Sequence, residues 1–152
     1  MKISNRFTIA IHMLSLMDRL SEQDDFLCTS ALMASSVNTN PVIIRRITGM
    51  LKNAGLCTVR AGTGGAYPAK DLATVSLLDV YKAVGAVEDM GLFNMHENPN
   101  PACPVGANIQ EVLNEHLLEA QRAMEEYLSA TSVGAVVREI TARDDLKGMR
   151  QL

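Results

Sequence analysis

The 152-residue sequence predicts a mostly α-helical chain with one small β-hairpin and a long C-terminal helix. Three observations predict it. Apolar residues recur at three- and four-residue steps along most of the chain. Asn38-Thr39-Asn40-Pro41 breaks one short helical pattern and restarts another. Between residues 56 and 69 the pattern turns strand-like around the run Gly62-Thr63-Gly64-Gly65. The length suits about one domain. With 47% hydrophobic and 20% charged residues the composition is ordinary for a globular protein. That excludes a disordered polyelectrolyte, a collagen-like repeat and a disulfide-framed miniprotein.

A first helix begins after Ser4 or Asn5, either of which suits a cap. Phe7, Ala10, Ile11, Leu14 and Met17 form one stripe, and Ile9, Met13, Leu16 and Leu20 form a second. A helix apolar on two faces is expected to be sandwiched. The polar run from Ser21 ends it. Thr29 then caps a short helix to about Val37, with Ala31, Leu32, Ala34 and Val37 facing inward.

Proline forces the residue before it out of the helical region, which a cap requires, and is itself at home in the first helical position. A third helix is therefore expected from Pro41 to about Ala54, burying Ile43, Ile44, Ile47 and Leu51. Gly55 supplies the left-handed residue beyond its end, with Leu56 as its hydrophobic partner. Leu56–Ala61 and Ala66–Ala69 read as a hairpin with a glycine-rich tip. Pro68 confines the return strand to an edge. Helix, helix–turn–helix and two-stranded wing make a winged helix–turn–helix over residues 1–84.

Ser76 caps a helix running from Leu77 to Val84, with Val80 and Val84 inward. Residues 85–106, which include NPNPACP, read as an irregular linker or sensor loop. A long helix is expected from about Ala107 to Leu128, roughly 30 Å in length. Its apolar residues Ile109, Val112, Leu113, Leu117, Ala120, Met124 and Leu128 form the candidate dimerisation face. So small a domain is not expected to cover such a helix alone, and a second copy related by two-fold symmetry is the economical partner. A short helix, Val133–Ile140, completes the segment 107–141, and a loose charged tail is expected over 142–152.

The net charge of −3 conceals a division. Residues 1–70 carry eight Lys/Arg against four Asp/Glu, a net +4, and the remainder carries −7. One half is suited to a polyanion and the other is not. The third helix presents Thr39, Asn40, Val42, Arg45, Arg46 and Gly49 outward, with Pro41 among the candidate DNA-binding residues, and a helix fits the major groove of B-DNA. Arg45 or Arg46 can read guanine in bidentate fashion, worth ~1–3 kcal/mol of discrimination. Thr29 and Ser30 open the preceding helix, where free N–H groups favour a phosphate. In the wing, Arg60 with Gly62, Thr63, Gly64 and Gly65 can approach the minor groove or phosphates. Thr29 and Asn40 also serve simply as caps, and the glycines are needed by the turn whether or not DNA is touched. The alternative is a winged helix that docks on protein without contacting DNA.

SNRFTIAIHMLSL, NTNPVIIRRITGMLKNAGL and RAGTGGAYPAKDLATVSLLDVYKAV together resemble the Rrf2 family of bacterial winged-helix repressors. The resemblance continues through CPVGANIQEVLNEHLLEAQRAMEEYL and so spans nearly the whole chain. It implies a homodimer built on the long helix and bound to a short palindromic operator in double-stranded DNA. It also implies that residues 39–46 enter the major groove and residues 60–65 the minor groove. Cluster-binding members carry three cysteines in the segment joining the fourth helix to the dimer helix. Here Cys103 is alone there, with Cys28 and Cys57 elsewhere. A [2Fe–2S] cluster normally takes four protein ligands, so no iron–sulfur cluster or other cofactor is expected. The chain resembles the branch that keeps one cysteine in a CPVG motif.

Cys103, near the start of the long helix, lies where the helix dipole favours a thiolate. It is a candidate redox or electrophile sensor, the alternative being a small apolar residue packed at the dimer seam. A thiol enzyme pairing Cys103 with His96 is not expected, since irregular chain between them guarantees neither a base within reach nor an oxyanion site. His12 and His116 lack a second ligand at metal spacing. Scattered cysteines, no signal-peptide cleavage site and no apolar run of about 18 residues point to the cytoplasm and to no membrane span. No small-molecule effector can be named from the sequence.

Overall fold

A computed structural model of the chain describes residues 3–23, 27–62, 64–86 and 91–149. Among the described residues, six helices and one hairpin follow in the order α1 (Arg6–Ser21), α2 (Ser30–Val37), α3 (Pro41–Asn53), β1 (Cys57–Val59), β2 (Ala66–Pro68), α4 (Leu77–Ala83), α5 (Pro104–Ala130) and α6 (Val133–Met149). A 3₁₀ turn, Leu72–Thr74, precedes α4. The fold is a winged helix–turn–helix head carrying a long helix, as the apolar spacing predicts.

The core forms around α1, whose Ala10, Met13, Leu14 and Met17 are fully buried. Ile44, Ile47 and Leu51 of α3 and Val80 of α4 join them in one cluster. The two-faced pattern of α1 is explained within the chain, because α2, α3, α4, α6 and β2 all touch it. Phe7 meets Tyr81 of α4 edge-on, with ring centroids 5.6 Å apart.

The cap of α3 follows the expected chemistry. Gly55 takes φ +71°, its N–H reaches the Lys52 carbonyl at 3.0 Å, and the Leu56 N–H reaches that of Leu51 at 2.9 Å. This pair of bonds satisfies two of the free carbonyls at the helix end and buries Leu56. A Ser76–Asp79 capping box starts α4.

Four expectations need correction. Met33 joins Ala34 inside α2, while Ala31 and Leu32 are exposed; the second helix is rotated from the predicted set, because the long flexible Met fills the core better than Leu32 can from its position. Ile43 is exposed on α3, because Ile44, Ile47 and Leu51 already define its inward face. The long helix begins at Pro104, not Ala107, with Pro104 in the first-turn position where its missing N–H costs nothing. The tail expected to be loose from residue 142 is helical to Met149, since Ala142 to Lys147 contain no helix breaker.

Residues 131–137 return to the head. The Leu77 N–H donates to the Thr131 carbonyl and the Val133 N–H to that of Val75, both at 2.8 Å. Val133 and Val137 are buried in the head's core. Gly134 sits where a Cβ would lie 2.7 Å from the Ala73 backbone nitrogen, so only glycine permits this approach.

The segment from Gly91 to Ala102 lies along α5 in the opposite direction. The Leu92 N–H reaches Gln121 at 3.4 Å, the Gln110 amide donates to the His96 carbonyl at 2.8 Å, and Gly106 packs against the Asn100 backbone. The irregular chain therefore covers one side of the long helix.

Candidate nucleic-acid interface

Three consecutive residues make the turn between α2 and α3. Asn38 takes the left-handed conformation at φ 60°, which a short polar side chain tolerates. The Thr39 N–H then closes on the Ala34 carbonyl at 3.0 Å. Asn40 caps α3, its Oδ1 accepting from the Val42 N–H at 2.8 Å. At the start of α2, the Thr29 hydroxyl accepts from the Leu32 N–H at 3.2 Å. Thr29 and Asn40 thus cap their helices with side-chain oxygens already engaged.

Burying Ile44, Ile47 and Leu51 turns the opposite side of α3 to solvent. Asn40, Val42, Ile43, Arg45 and Arg46 are exposed there, and Thr39, Pro41 and Gly49 are half-exposed. The wing pairs Thr58 with Tyr67 and Val59 with Ala66. The tip-side end of its return strand is fastened to the chain entering α2, where the Ala66 N–H donates to the Cys28 carbonyl at 2.9 Å. Gly65, at φ +72°, would place a Cβ 3.0 Å from the Cys28 nitrogen. A Cβ on Gly64 would collide with the Cβ of Arg60, and Gly62 has φ +73°. Thr63 lies outside the described residues.

Arg45, Arg60, Thr48, Thr29, Ser30 and Gly62 line one open cleft of about 260 Å³ between α2, α3 and the wing. Arg46 projects from the adjoining surface of α3 and is not part of the cleft wall. The Arg60 guanidinium lies over the Tyr67 ring, 4.3 Å from its centroid, in cation–π contact. From Leu27 to Lys70 the sequence contains five Lys/Arg and no Asp or Glu. Among the described residues, none of Arg45, Arg46 and Arg60 has a carboxylate partner. Among the described residues this surface sets unpaired arginines beside the hydroxyl-bearing Thr29, Ser30 and Thr48, which suits a polyanion.

Sequence reasoning missed two residues here. Tyr67 escaped because a strand aromatic reads as packing. Ile43 escaped because an aliphatic residue on an amphipathic helix is placed inward by default.

The α5 residues divide between two faces. Met124 and Leu128 pack against the head's own core. Ile109, Leu113 and Leu117 are half-buried, and Ala120 is exposed. Val112 is 51% exposed, Val105 67% and Tyr127 71%. Val105, Ile109, Val112, Ala123 and Tyr127 fall at helical spacing on one side, so the open stripe is only partly the predicted set.

Cys103 is the exposed N-cap of α5. The backbone N–H groups of Gly106 and Val105 hold its thiol below the ordinary range. Cys28 and Cys57 are buried, and burial pushes both thiols up to about 11. His12 pairs with the Ser36 hydroxyl at 2.8 Å. Among the described residues no three His, Cys, Asp or Glu side chains converge to hold a metal. One exposed thiol per chain does not fit an iron–sulfur cluster, even with its copy from a second chain. No helix among the described residues is long and apolar enough to cross a membrane.

Comparison with known proteins agrees with this geometry. The profile of the Rrf2 family, described as an iron-dependent transcriptional regulator, matches residues 3–139. YwnA of Bacillus subtilis (strain 168), provisionally described as an HTH-type transcriptional regulator, is 46% identical over 138 residues, covering 91% of this chain and 98% of YwnA. A crystal structure provisionally described as a DNA-binding protein is 42% identical, with a TM-score of 0.67 over 86% of this chain and 97% of that one. CymR, the global cysteine regulator of B. subtilis, shares the fold at 15% identity, with a TM-score of 0.62 over 91% of this chain and 97% of CymR.

Proposed function

The chain belongs to the Rrf2 family of transcriptional regulators, and on that premise we propose that it is a homodimeric, sequence-specific DNA-binding repressor acting in the cytoplasm on a palindromic operator. The observation that carries this reading is the acid-free strip from Leu27 to Lys70, where Arg45 and Arg60 converge on one cleft beside Arg46. Residues 39–46 occupy the major groove, with Arg45 reading a guanine and Arg46 at a base or phosphate. Thr29 and Ser30 offer donors to a phosphate, and the wing from Arg60 to Gly65 follows the minor groove or backbone.

The dimer is built on α5. None of its 27 residues is buried, and its open stripe of Val105, Ile109, Val112, Ala123 and Tyr127 is the face a second copy covers. Two heads held this way meet two half-sites about one helical turn apart. Cys103 serves as a thiol sensor: a peroxide, itself reduced to hydroxide as its O–O bond breaks, transfers oxygen to the thiolate to give a sulfenic acid, and the added polar bulk at the N-cap of the dimer helix shifts the setting of the heads.

Selection of bound sites from random DNA tests the reading. An enriched palindrome is expected, with log affinity falling by ~0.9 for each phosphate neutralised per log unit of salt. Arg45→Ala is expected to relax one base position in each half-site. Equal binding by the wild type and an Arg45→Ala/Arg46→Ala double variant would refute the assignment of α3. Binding insensitive to salt would instead favour a protein partner.

A further inference from the structure

Two β-branched aliphatic side chains stand in solvent on the first turn of α3. Val42 is 60% exposed and Ile43 42% exposed. Neither contributes to the core cluster, which takes Ile44, Ile47 and Leu51 from this helix. Nor do they serve the cap, which uses the Asn40 side chain and only the backbone of Val42. Their surroundings are polar and cationic: Thr39 and Asn40 precede them, Arg45 and Arg46 follow, and no carboxylate occurs between Leu27 and Lys70. Such a ring of cations disfavours an ordinary apolar protein partner and favours an anionic one that offers small apolar groups.

We propose that Val42 and Ile43 read the 5-methyl groups of thymines in the major groove. The inference rests on the DNA-binding reading above and specifies which base features that surface recognises. Thymine is the one base that presents a methyl group in that groove, and aliphatic contact is the chemistry that detects it. Val42 and Arg45 are three residues apart on one face, about 4.5 Å along the axis. A base step is about 3.4 Å. The thymine therefore lies within about one to two base pairs of the guanine contacted by Arg45.

The test uses the full-length protein and the operator recovered by random-site selection, with each thymine replaced singly by deoxyuridine. That change keeps the base pair and removes only the methyl group. Affinity is expected to fall about four-fold at one or two positions per half-site, the fold-change equivalent to ~0.8 kcal/mol for one buried methylene-sized group. With Val42→Ala or Ile43→Ala, both exposed positions that leave the core intact, the corresponding deoxyuridine penalty is expected to vanish. A series flat within 1.5-fold overturns the inference while leaving DNA binding intact, as does a penalty unchanged in both variants. Failure to enrich any sequence overturns the DNA-binding reading and this inference with it.

Discussion

Arg60 and Tyr67 form a cation–π pair across the wing, the guanidinium carbon 4.3 Å from the ring centroid. Tyr67 sits opposite Thr58 in the hairpin, so the sheet positions the ring against which the Arg60 guanidinium stacks. An exposed pair of this kind is worth ~0.5–1 kcal/mol. Tyr67→Leu is expected to weaken DNA binding two- to five-fold, and Tyr67→Phe to retain it. Arg60→Ala is expected to weaken all sequences evenly and lower the salt slope by about one phosphate. Fluorescence anisotropy across a salt series measures both. A Tyr67→Phe loss as large as that of Tyr67→Leu would refute the stacking role.

Gly65 and Gly55 both have positive φ but differ in their surroundings. At Gly55 a Cβ would meet nothing within 4 Å, so Gly55→Ala carries only the conformational cost of ~1 kcal/mol. At Gly65 the same atom would sit 3.0 Å from the Cys28 nitrogen and 3.2 Å from its oxygen. Gly65→Ala must also push the wing from the strap entering α2 and is expected to cost ~2–3 kcal/mol. Urea unfolding of the two variants compares them directly. Equal losses would show that the wing yields freely at this contact.

Much of the fold could be read because local chemistry and tertiary packing agreed. The Asn40–Pro41 restart, the Gly55 cap and the Ser76 box are decided within a few residues, and the structure has them where the spacing puts them. The misjudged positions were those decided by distant chain. Met33 displaces Leu32 inward because of what the rest of the core requires, not because of α2's own pattern. The α6 helix reads as short and isolated until Val133 and Val137 are seen entering the head's core. At the site, the arginines were legible from charge. Ile43 and Tyr67 were not, because their chemistry depends on a neighbour or on exposure.

The three thiols are expected to respond differently to pH and to reagents. Backbone N–H groups at the start of α5 favour the Cys103 thiolate, so Cys103 should react faster than free cysteine at neutral pH. Burial raises Cys28 and Cys57 to about 11 from an ordinary 9.0, so both stay protonated and protected until unfolding. One thiol per chain should label in the native state and three in denaturant. Because the native pKa is raised, the two buried thiols hold their protons where the unfolded chain releases them. Their contribution to stability is complete below about pH 9 and is lost between about pH 9 and pH 11. Urea midpoints of the wild type and a Cys28→Ala/Cys57→Ala variant should therefore converge as pH rises through that window. A Cys103 rate no greater than that of free cysteine would end its role as a sensor.

The long helix gives the sharpest separation between assembly and folding. Val112 is half-exposed at the middle of the open stripe, whereas Met124 packs against the head. A charge at Val112 costs the isolated chain little but would be left desolvated and unpaired beneath a second copy. Val112→Glu is therefore expected to raise the dimer dissociation constant at least ten-fold without lowering the unfolding free energy of the monomer. Met124→Glu, which puts a charge at a partly buried position against the head, is expected to lower monomer stability by ~1–3 kcal/mol. Sedimentation velocity over a dilution series reads the first effect and urea unfolding the second. In DNA binding, Val112→Glu should lose affinity for the full palindrome but keep that for a single half-site, because two heads that are no longer joined gain nothing from each other's contact. A Val112→Glu protein that remains dimeric would place the seam on another face of the molecule.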